Sequence, residues 1–389
     1  MPENAERPVT VVGHALVPTG RGEDARGVFR AFQRTGGHAS ICDVPCGPIL
    51  NDDDIMHEIG PRLTAGPGPH FNIFVINGAD VDWVLRRLDG MGRPGQAVNV
   101  ISPQWELSNY PDEWARRLER FDEVWAPTRF VFDALRKAVR VPVRHLPYPV
   151  DFKLKSPLGR RYFRLPEAGF LFMFLFDFGS FVQRKNPFSV IEAFRLACQK
   201  APRADWHLVI KMSGHNGGPA VQPLLARFVG EVLGGPFSER IIVIGKILTD
   251  NETKNLIRCS DCFVSLHRSE GLGRGPAEAM LLGKPVIATA YSGNLDFMDH
   301  DNSCLVGYEL IPVPDGSYLF PQGQVWADPD IEQAAHFMVK LYNDPDLCLR
   351  LGRLGSRRIR TCYSHVAVGL KYRSRIDELC RNREKGERS

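Results

Sequence analysis

The sequence predicts an α/β protein of two doubly wound domains, and three observations predict it. Apolar runs of strand length alternate with amphipathic stretches along almost the whole chain, the pattern of parallel sheets layered with helices. The alternation is broken once, by a basic, Pro-rich passage, Val141-Pro-Val-Arg-His-Leu-Pro-Tyr-Pro-Val150, and then Ser156 to Gly169. Prolines at this density interrupt regular structure, so the passage reads as a linker. The length, 389 residues, suits two domains of ordinary size. The expected division is a first domain over 1–150, a linker over 151–169, a second domain over 170–363, and a terminal helix and tail over 364–389.

In the first half the expected strands are Val9–His14, Ala39–Val44, Phe71–Asn77, Ala97–Ser102 and Glu123–Ala126. Helical periodicity covers Glu23–Arg34, Val81–Leu88, Asp112–Arg120 and Arg129–Ala138. The second half restarts at Phe170–Phe176 and continues with strands at Trp206–Lys211, Arg240–Ile244, Cys262–Leu266, Pro285–Ala288 and Cys304–Val306. Its helices are expected at Pro187–Gln199, Val221–Leu233, Asn251–Arg258, Pro276–Leu282, Asp330–Tyr342 and Asp344–Arg360. Ser364–Cys380 reads as a long amphipathic helix, followed by a charged tail expected to be disordered. Ligands of such sheets bind at the carboxyl ends of strands, so the site is expected in a cleft between the domains.

Composition excludes several classes. A net charge of +4 makes no case for nucleic acid as a partner. The N-terminus is polar and acidic with no signal-peptide core, and the most apolar run, Phe170 to Phe178, is far shorter than the roughly 20 residues of a spanning helix. The expectation is a soluble, cytoplasmic protein. Nine cysteines are scattered through apolar segments; Cys259-Ser-Asp-Cys262 has CxxC spacing but no second ligand pair, so buried thiols are expected. Asp52-Asp-Asp54 and Asp80-Val-Asp82 invite a metal reading, but both lie at expected helix starts, where aspartates cap free N–H groups.

The segment Leu266-His-Arg-Ser-Glu-Gly-Leu-Gly-Arg-Gly-Pro-Ala-Glu-Ala-Met280 carries most of the chemistry. A buried strand ends, a glycine loop turns, and a helix opens near Pro276, where a missing N–H has no intrahelical partner to lose. Such a junction offers backbone N–H groups and the positive end of a helix dipole to a phosphate. Glu270 and Glu278 flank it, and carboxylates beside a phosphate seat are repulsive unless they bond hydroxyls. A nucleotide-sugar fits that combination. The plainer alternative is a Gly-rich turn of any doubly wound protein, with Glu278 an ordinary first-turn glutamate.

These residues resemble the retaining family-4 (group 1) glycosyltransferases of the GT-B fold, two Rossmann-like domains facing across a cleft with a C-terminal helix crossing back to the first. The family pattern, Glu, seven residues, Glu, stands as Glu270-Gly-Leu-Gly-Arg-Gly-Pro-Ala-Glu278. Gly283-Lys-Pro-Val-Ile-Ala-Thr289, Ser292-Gly-Asn-Leu-Asp-Phe-Met298 and the ending Ser364–Arg373 agree, and Trp105-Glu106 and Phe121–Thr128 agree more loosely. By the resemblance, Glu278 binds ribose hydroxyls and Glu270 hydroxyls of the donor sugar, as acceptor-only carboxylates can. Gly271, Leu272, Gly273, Arg274, His267, Asn294, Gly179 and Ser180 complete the donor set, although His267 also reads as a space-filling histidine beneath the loop. The leaving diphosphate needs fixed positive charge. Lys185 matches the family lysine, but Ser180 occupies the family's arginine position, and Arg184 and Arg274 are the candidate substitutes; the alternative for each is a solvated surface arginine.

In the first domain, the loop Pro18-Thr-Gly20-Arg21-Gly22-Glu23 corresponds to the family's glycine loop near diphosphate and acceptor. Glu106 follows a strand end, where it either orients and deprotonates the acceptor hydroxyl or pairs with an arginine. The resemblance implies a retaining, metal-independent transfer of hexose, with no cofactor, from a nucleotide-sugar to a saccharide or lipid-linked saccharide in surface-polysaccharide synthesis. GDP-mannose is preferred over UDP-glucose. Arg116, Arg117, Arg120, Arg136, Lys137 and Arg140 make the first domain basic, which suits peripheral membrane contact, and solvated helix faces explain the same charges equally well. Two rivals are a UDP-glucose-type transferase with a small-molecule acceptor and a non-catalytic nucleotide-sugar sensor. A dehydrogenase would need Gly-x-Gly-x-x-Gly after the first strand, which residues 13–30 lack. A phosphorylase would need a pyridoxal-phosphate site, and no convincing one is present.

Overall fold

The computed structural model describes residues 8–17, 19–45, 53–89, 97–216, 218 and 221–384. The chain divides into two compact units, Met1–Asp151 with Arg360–Ser389, and Phe152–Ile359. The tail expected to be disordered begins after Cys380, but the last helix continues to Glu384; 385–389 lie outside the described residues.

The first unit runs β1 (Val9–Gly13), α1 (Gly20–Arg34), β2 (Ala39–Asp43), α2 (Asp53–Ile59), β3 (Phe71–Val75), α3 (Val81–Asp89), β4 (Val98–Ile101), α4 (Asp112–Leu118), β5 (Glu123–Ala126), α5 (Arg129–Ala138) and β6 (Val143–His145). The strands form one parallel sheet in the order β2-β1-β3-β4-β5-β6. β6 corrects the linker reading of Val141–Val150. It is an edge strand, and proline is tolerated at sheet edges, where an N–H can be spared.

The second unit runs β7 (Phe170–Asp177), α6 (Val182–Lys185), α7 (Pro187–Lys200), β8 (Trp206–Ser213), α8 (Gln222–Gly234), β9 (Ile241–Ile244), α9 (Asp250–Cys259), β10 (Cys262–Ser265), α10 (Arg274–Leu281), β11 (Val286–Thr289), β12 (Cys304–Val306), β13 (Tyr308–Pro312), β14 (Val325–Pro329), α11 (Ile331–Asn343) and α12 (Pro345–Cys362). Its parallel sheet has the order β12-β11-β10-β7-β8-β9, and β13 and β14 form a separate antiparallel hairpin that the sequence reading missed. β7 lies at the centre, which explains its unbroken apolar run: a parallel strand is covered on both faces. Phe172 packs on Phe194 and Trp206 with ring centroids 6.2 and 5.9 Å apart. Burying each such ring contributes about 2–3 kcal/mol.

The stretch expected as a linker, 151–169, is held on this second unit from Phe152 onward. Leu158 donates its N–H to Asn255 (2.9 Å), and Arg160 reaches the Gly169 carbonyl (2.8 Å) and Asp261 (2.6 Å). Prolines here prevent helix and strand without preventing side-chain anchoring.

The last helix, α13 (His365–Glu384), belongs to the first unit and packs along α1. Gly369 permits the approach, since a Cβ there would lie 2.4 Å from the Ala31 carbonyl. Tyr372 stacks between Phe32 and Trp125 and donates its hydroxyl to the Pro147 carbonyl at 2.8 Å. Arg375 forms a two-pronged ion pair with Glu123, a fully buried carboxylate of β5. A charge buried in a sheet is costly unless paired, so α13 completes the sheet's electrostatics as well as its packing. Among the described residues, no helix is long and apolar enough to cross a membrane.

The strand order reverses between β1 and β3 in one sheet and between β7 and β10 in the other. At such switch points adjacent loops turn to opposite faces and leave a crevice at the carboxyl ends.

Candidate active site

At the second switch point, the chain leaving β7 makes a tight turn before α6. Asp177 accepts the Gly179 N–H (2.7 Å) and the Ser213 hydroxyl (2.6 Å). Asn186 closes α6 in a left-handed conformation (φ 56°) and donates its amide to the Leu266 carbonyl at 2.9 Å. These bonds aim Arg184 and Lys185 at the loop after β10.

There the two cations meet one carboxylate. Lys185 Nζ donates to Glu270 Oε1 at 2.5 Å, and the Arg184 guanidinium lies 3.1 Å from Oε2. Arg184 also donates to the carbonyls of Ser269 (2.9 Å) and Ser180 (3.1 Å). Burial pushes the Glu270 carboxyl up, but the charges of Lys185 and Arg184 outweigh it and hold the group at about 2. Glu270 is therefore ionised at neutral pH. Its backbone is pinned too, with its N–H on the Ser292 hydroxyl (2.8 Å) and its carbonyl receiving the Gly293 N–H (2.9 Å).

The glycine turn then leads into α10. Gly273 has φ 83°, a conformation that costs glycine nothing, and it is the residue before the first helical turn. Gly271 and Gly293 touch so closely that a Cβ on Gly293 would lie 2.1 Å from the Gly271 carbonyl. Leu272 is buried. The helix begins at Arg274, two residues before the expected Pro276, and Arg274 lies 3.7 Å from Glu278 one turn on. Neither Arg184 nor Arg274 is the solvated surface arginine of the alternative reading: their side chains are 5% and 16% exposed.

His267 and Asn294 turn inward. The His267 ring contacts the Ser265 hydroxyl (2.9 Å), the Tyr291 carbonyl (3.2 Å) and Asn294 Oδ1 (3.1 Å), and Asn294 donates to the Thr289 carbonyl (3.0 Å). Burial holds His267 below its usual range against the pull of Glu270. Both side chains brace the loops around the glycine turn.

At the first switch point the glycine loop is shorter than expected. Gly20, Arg21 and Gly22 form the first turn of α1, and Thr19 caps it by accepting the Gly22 N–H at 3.4 Å. Gly22 is required by the fold itself, since a Cβ would fall 2.0 Å from the Val17 carbonyl. Pro18 lies outside the described residues. Arg21 pairs with Asp80 at 2.6 Å, and Asp80 also accepts the Asn77 N–H at 3.2 Å. Asp80 directly precedes α3 and Asp82 lies in its first turn, as expected, while Asp82 also pairs with Arg117 and Arg120. Asp53 and Asp54 do lie in the first turn of α2; Asp52 is outside the described residues.

Behind Asp80 is His14, fully buried and stacked on Trp83. Its Nδ1 contacts the Val44 carbonyl at 2.5 Å, which can only accept, so Nδ1 carries the proton. Nε2 is 3.6 Å from Asp80, too long for a hydrogen bond. After β4, Gln104 donates to Asp24 (3.0 Å), and Glu106 is half-buried on the same loop. The sequence reading missed His14, Asp80 and Gln104 as a group, although each follows a strand end. Cys259 and Cys262 are buried free thiols pushed up by that burial. Among the described residues no cluster of three or more His, Cys, Asp or Glu is placed to hold a metal.

Residues 172–357 match the family model described as glycosyl transferases group 1. No curated protein matches the chain. Among solved structures, sucrose-phosphate synthase from Thermosynechococcus elongatus is 17% identical, with 96% of this chain and 99% of that chain covered and a TM-score of 0.67. HepE from Anabaena, in complex with UDP-glucose, is 13% identical over 96% of this chain and 100% of its own, TM-score 0.69. A glycosyltransferase from Rickettsia africae is 12% identical over 97% and 100%, TM-score 0.65. Residues 172–357, in the second unit, thus carry a group 1 glycosyltransferase domain, of the kind that moves a sugar from a nucleotide-sugar donor, and the chain has the GT-B fold.

Proposed function

We propose that the chain is a retaining, metal-independent hexosyltransferase whose donor binds at the β7–β10 switch point. The observation that carries this reading is the paired arrangement about one glycine turn, Glu270 with Lys185 and Arg184, and Glu278 with Arg274. Lys185 keeps its bond to Glu270 and presents its other donors to the donor's β-phosphate, while Glu270 accepts hydrogen bonds from the sugar's hydroxyls. Glu278 takes the ribose hydroxyls. Buried Arg184 supplies the charge that Ser180 lacks, acting from behind the turn rather than as an exposed finger. As the bond from the anomeric carbon to phosphate oxygen breaks, the acceptor oxygen bonds to the same face and its proton passes to the departing phosphate. The fixed cations stabilise the charge growing there, which makes a metal unnecessary.

The acceptor is a saccharide or lipid-linked saccharide of surface-polysaccharide synthesis, oriented by Glu106 of the first unit. GDP-mannose is the donor expected from the sequence; UDP-glucose is the second reading, favoured by the complex of the HepE relative. Peripheral membrane contact belongs to the lipid-linked version. Arg117, Arg120, Arg136 and Arg140 each have a carboxylate partner, yet Arg120, Arg136 and Arg140 stay exposed, as Arg116 and Lys137 are. Retention of the protein by anionic vesicles at low salt tests it, and a protein left in solution rules it out.

The first experiment is thermal stabilisation by GDP, UDP, ADP and TDP without metal, on the wild type and Glu278→Ala. One nucleotide is expected to shift the wild type and not the variant. No shift from any of the four overturns the donor site. With the donor known, Glu106→Gln is expected to slow transfer to acceptor without changing nucleotide binding; binding without transfer to any acceptor would instead indicate a sensor.

A further inference from the structure

The β13–β14 hairpin belongs to neither parallel sheet, yet it is tied repeatedly to the turn that carries Arg184 and Lys185. Arg268 makes the main connection. Its guanidinium donates to the Gln183 carbonyl in α6 at 3.0 Å and to Asp328 in β14 at 2.9 Å, and it lies 5.7 Å from the centre of the Trp326 ring. Its backbone repeats the bridge, with its N–H on the Arg184 carbonyl (2.8 Å) and its carbonyl receiving the Ala327 N–H (2.9 Å). A second connection lies at the start of α6. Phe181 has φ 61° and ψ 95°, a conformation L-residues hold only when their surroundings impose it. Its ring packs on Tyr318, in the hairpin's connecting loop, with centroids 4.6 Å apart. Tyr318 and Trp326 are both buried.

We infer that Arg268 and Tyr318 are positioning residues for transfer: through them the hairpin clamps the Phe181–Lys185 turn at both ends and sets Lys185 where the diphosphate charge develops. This rests on the reading of Lys185 given above. The strained Phe181 start fixes the direction of α6, and the Arg268 bridge fixes its end. A planar guanidinium suits the bridge because its donors reach two acceptors in different directions at once, which an ammonium on a flexible stem does less well. Misplacement of a charge by about 1 Å lowers turnover by up to ~100-fold, so a clamp on a four-residue helix has a kinetic consequence.

The test uses the full chain with UDP-glucose and GDP-mannose, following release of nucleoside diphosphate, with UDP and GDP binding measured alongside. Arg268→Met and Tyr318→Ala are expected to lower kcat by ~30-fold with donor KM within about threefold, because the lost placement matters most in the transition state. Tyr318→Phe keeps the ring and should restore kcat to within about twofold of wild type. Asp328→Asn removes the hairpin end of the bridge at a half-exposed position and should lower kcat by about threefold while leaving the fold intact. Folded Arg268→Met or Tyr318→Ala with wild-type kcat overturns the clamp alone, as does a rate loss that only tracks the fraction of folded protein. A wild type that binds neither nucleotide and cleaves neither donor overturns the donor-site reading and the clamp with it.

Discussion

The two switch points share a topology and differ in how their charges are satisfied. After β7 and β10, Glu270 is locked between Lys185 and Arg184, and its side chain is only 10% exposed. After β1 and β3, Asp80 is held by Arg21, which is 38% exposed, while the Nε2 of His14 behind it has no hydrogen-bond partner among the described residues. Gln104 Oε1 is likewise without one. The second unit's site is thus organised before any ligand arrives, which suits stabilisation of charge on a leaving phosphate: dipoles and charges already in place need not reorganise during reaction. The first unit's site keeps polar capacity unspent, which suits an acceptor that brings its own hydroxyls.

The sharpest way to break that contrast is to remove one cation from each site. Lys185→Ala is expected to lower kcat by ~100-fold or more, the scale of losing a preorganised group opposite developing charge. Arg21→Ala is expected to cost less than about tenfold, because its pair with Asp80 is partly solvated and screened. Steady-state kinetics on the two variants decide it. Near-normal kcat in Lys185→Ala would remove the role assigned to that lysine, and equal losses would erase the distinction between the sites.

Protonation sharpens the same comparison. The Glu270 carboxyl lies at about 2 against an ordinary 4.5, so the folded state favours the ionised form. The corresponding stabilisation, about 3 kcal/mol, is fully present above pH 4.5 and is lost as pH falls toward 2. Glu270→Gln should therefore destabilise the protein by about that amount at pH 7, and the gap from wild type should narrow at pH 4 and again at pH 3. Urea unfolding at each pH measures it. A gap independent of pH would mean that Glu270 acts through packing and not through its charge.

Much of this was legible in the chain, for a physical reason. Central parallel strands such as β7 are covered on both faces and read as apolar runs, and the Glu270–Glu278 pattern is local enough to see in a line of text. What stayed hidden was non-local or small. The Arg184–Glu270 and Glu123–Arg375 pairs join residues 86 and 252 positions apart, so neither pairing is visible along the chain. β6 sat among prolines that an edge strand tolerates. The β13–β14 hairpin carries Pro312 inside a strand and a connecting loop rich in proline and glycine, so its alternation was masked. The glycines at 20 and 22 read as loop, whereas they form the first turn of α1.

The smallest effect concerns how each unit starts a helix. Thr249 begins α9 with a full capping box: its hydroxyl accepts the Glu252 N–H at 3.2 Å, and the Glu252 carboxylate accepts the Thr249 N–H at 2.8 Å. Thr19 begins α1 with a single long bond of 3.4 Å to the Gly22 N–H. A reciprocal box satisfies two otherwise unpaired N–H groups and a lone weak cap satisfies one poorly. Thr249→Ala should therefore cost about 1 kcal/mol and Thr19→Ala only a few tenths, each read from the urea midpoint at constant slope. The order of the two values matters more than their size. If Thr19→Ala proved the costlier change, the start of α1 would be as firmly fixed as the donor turn, and the first unit's looser organisation would be confined to His14, Asp80 and Gln104.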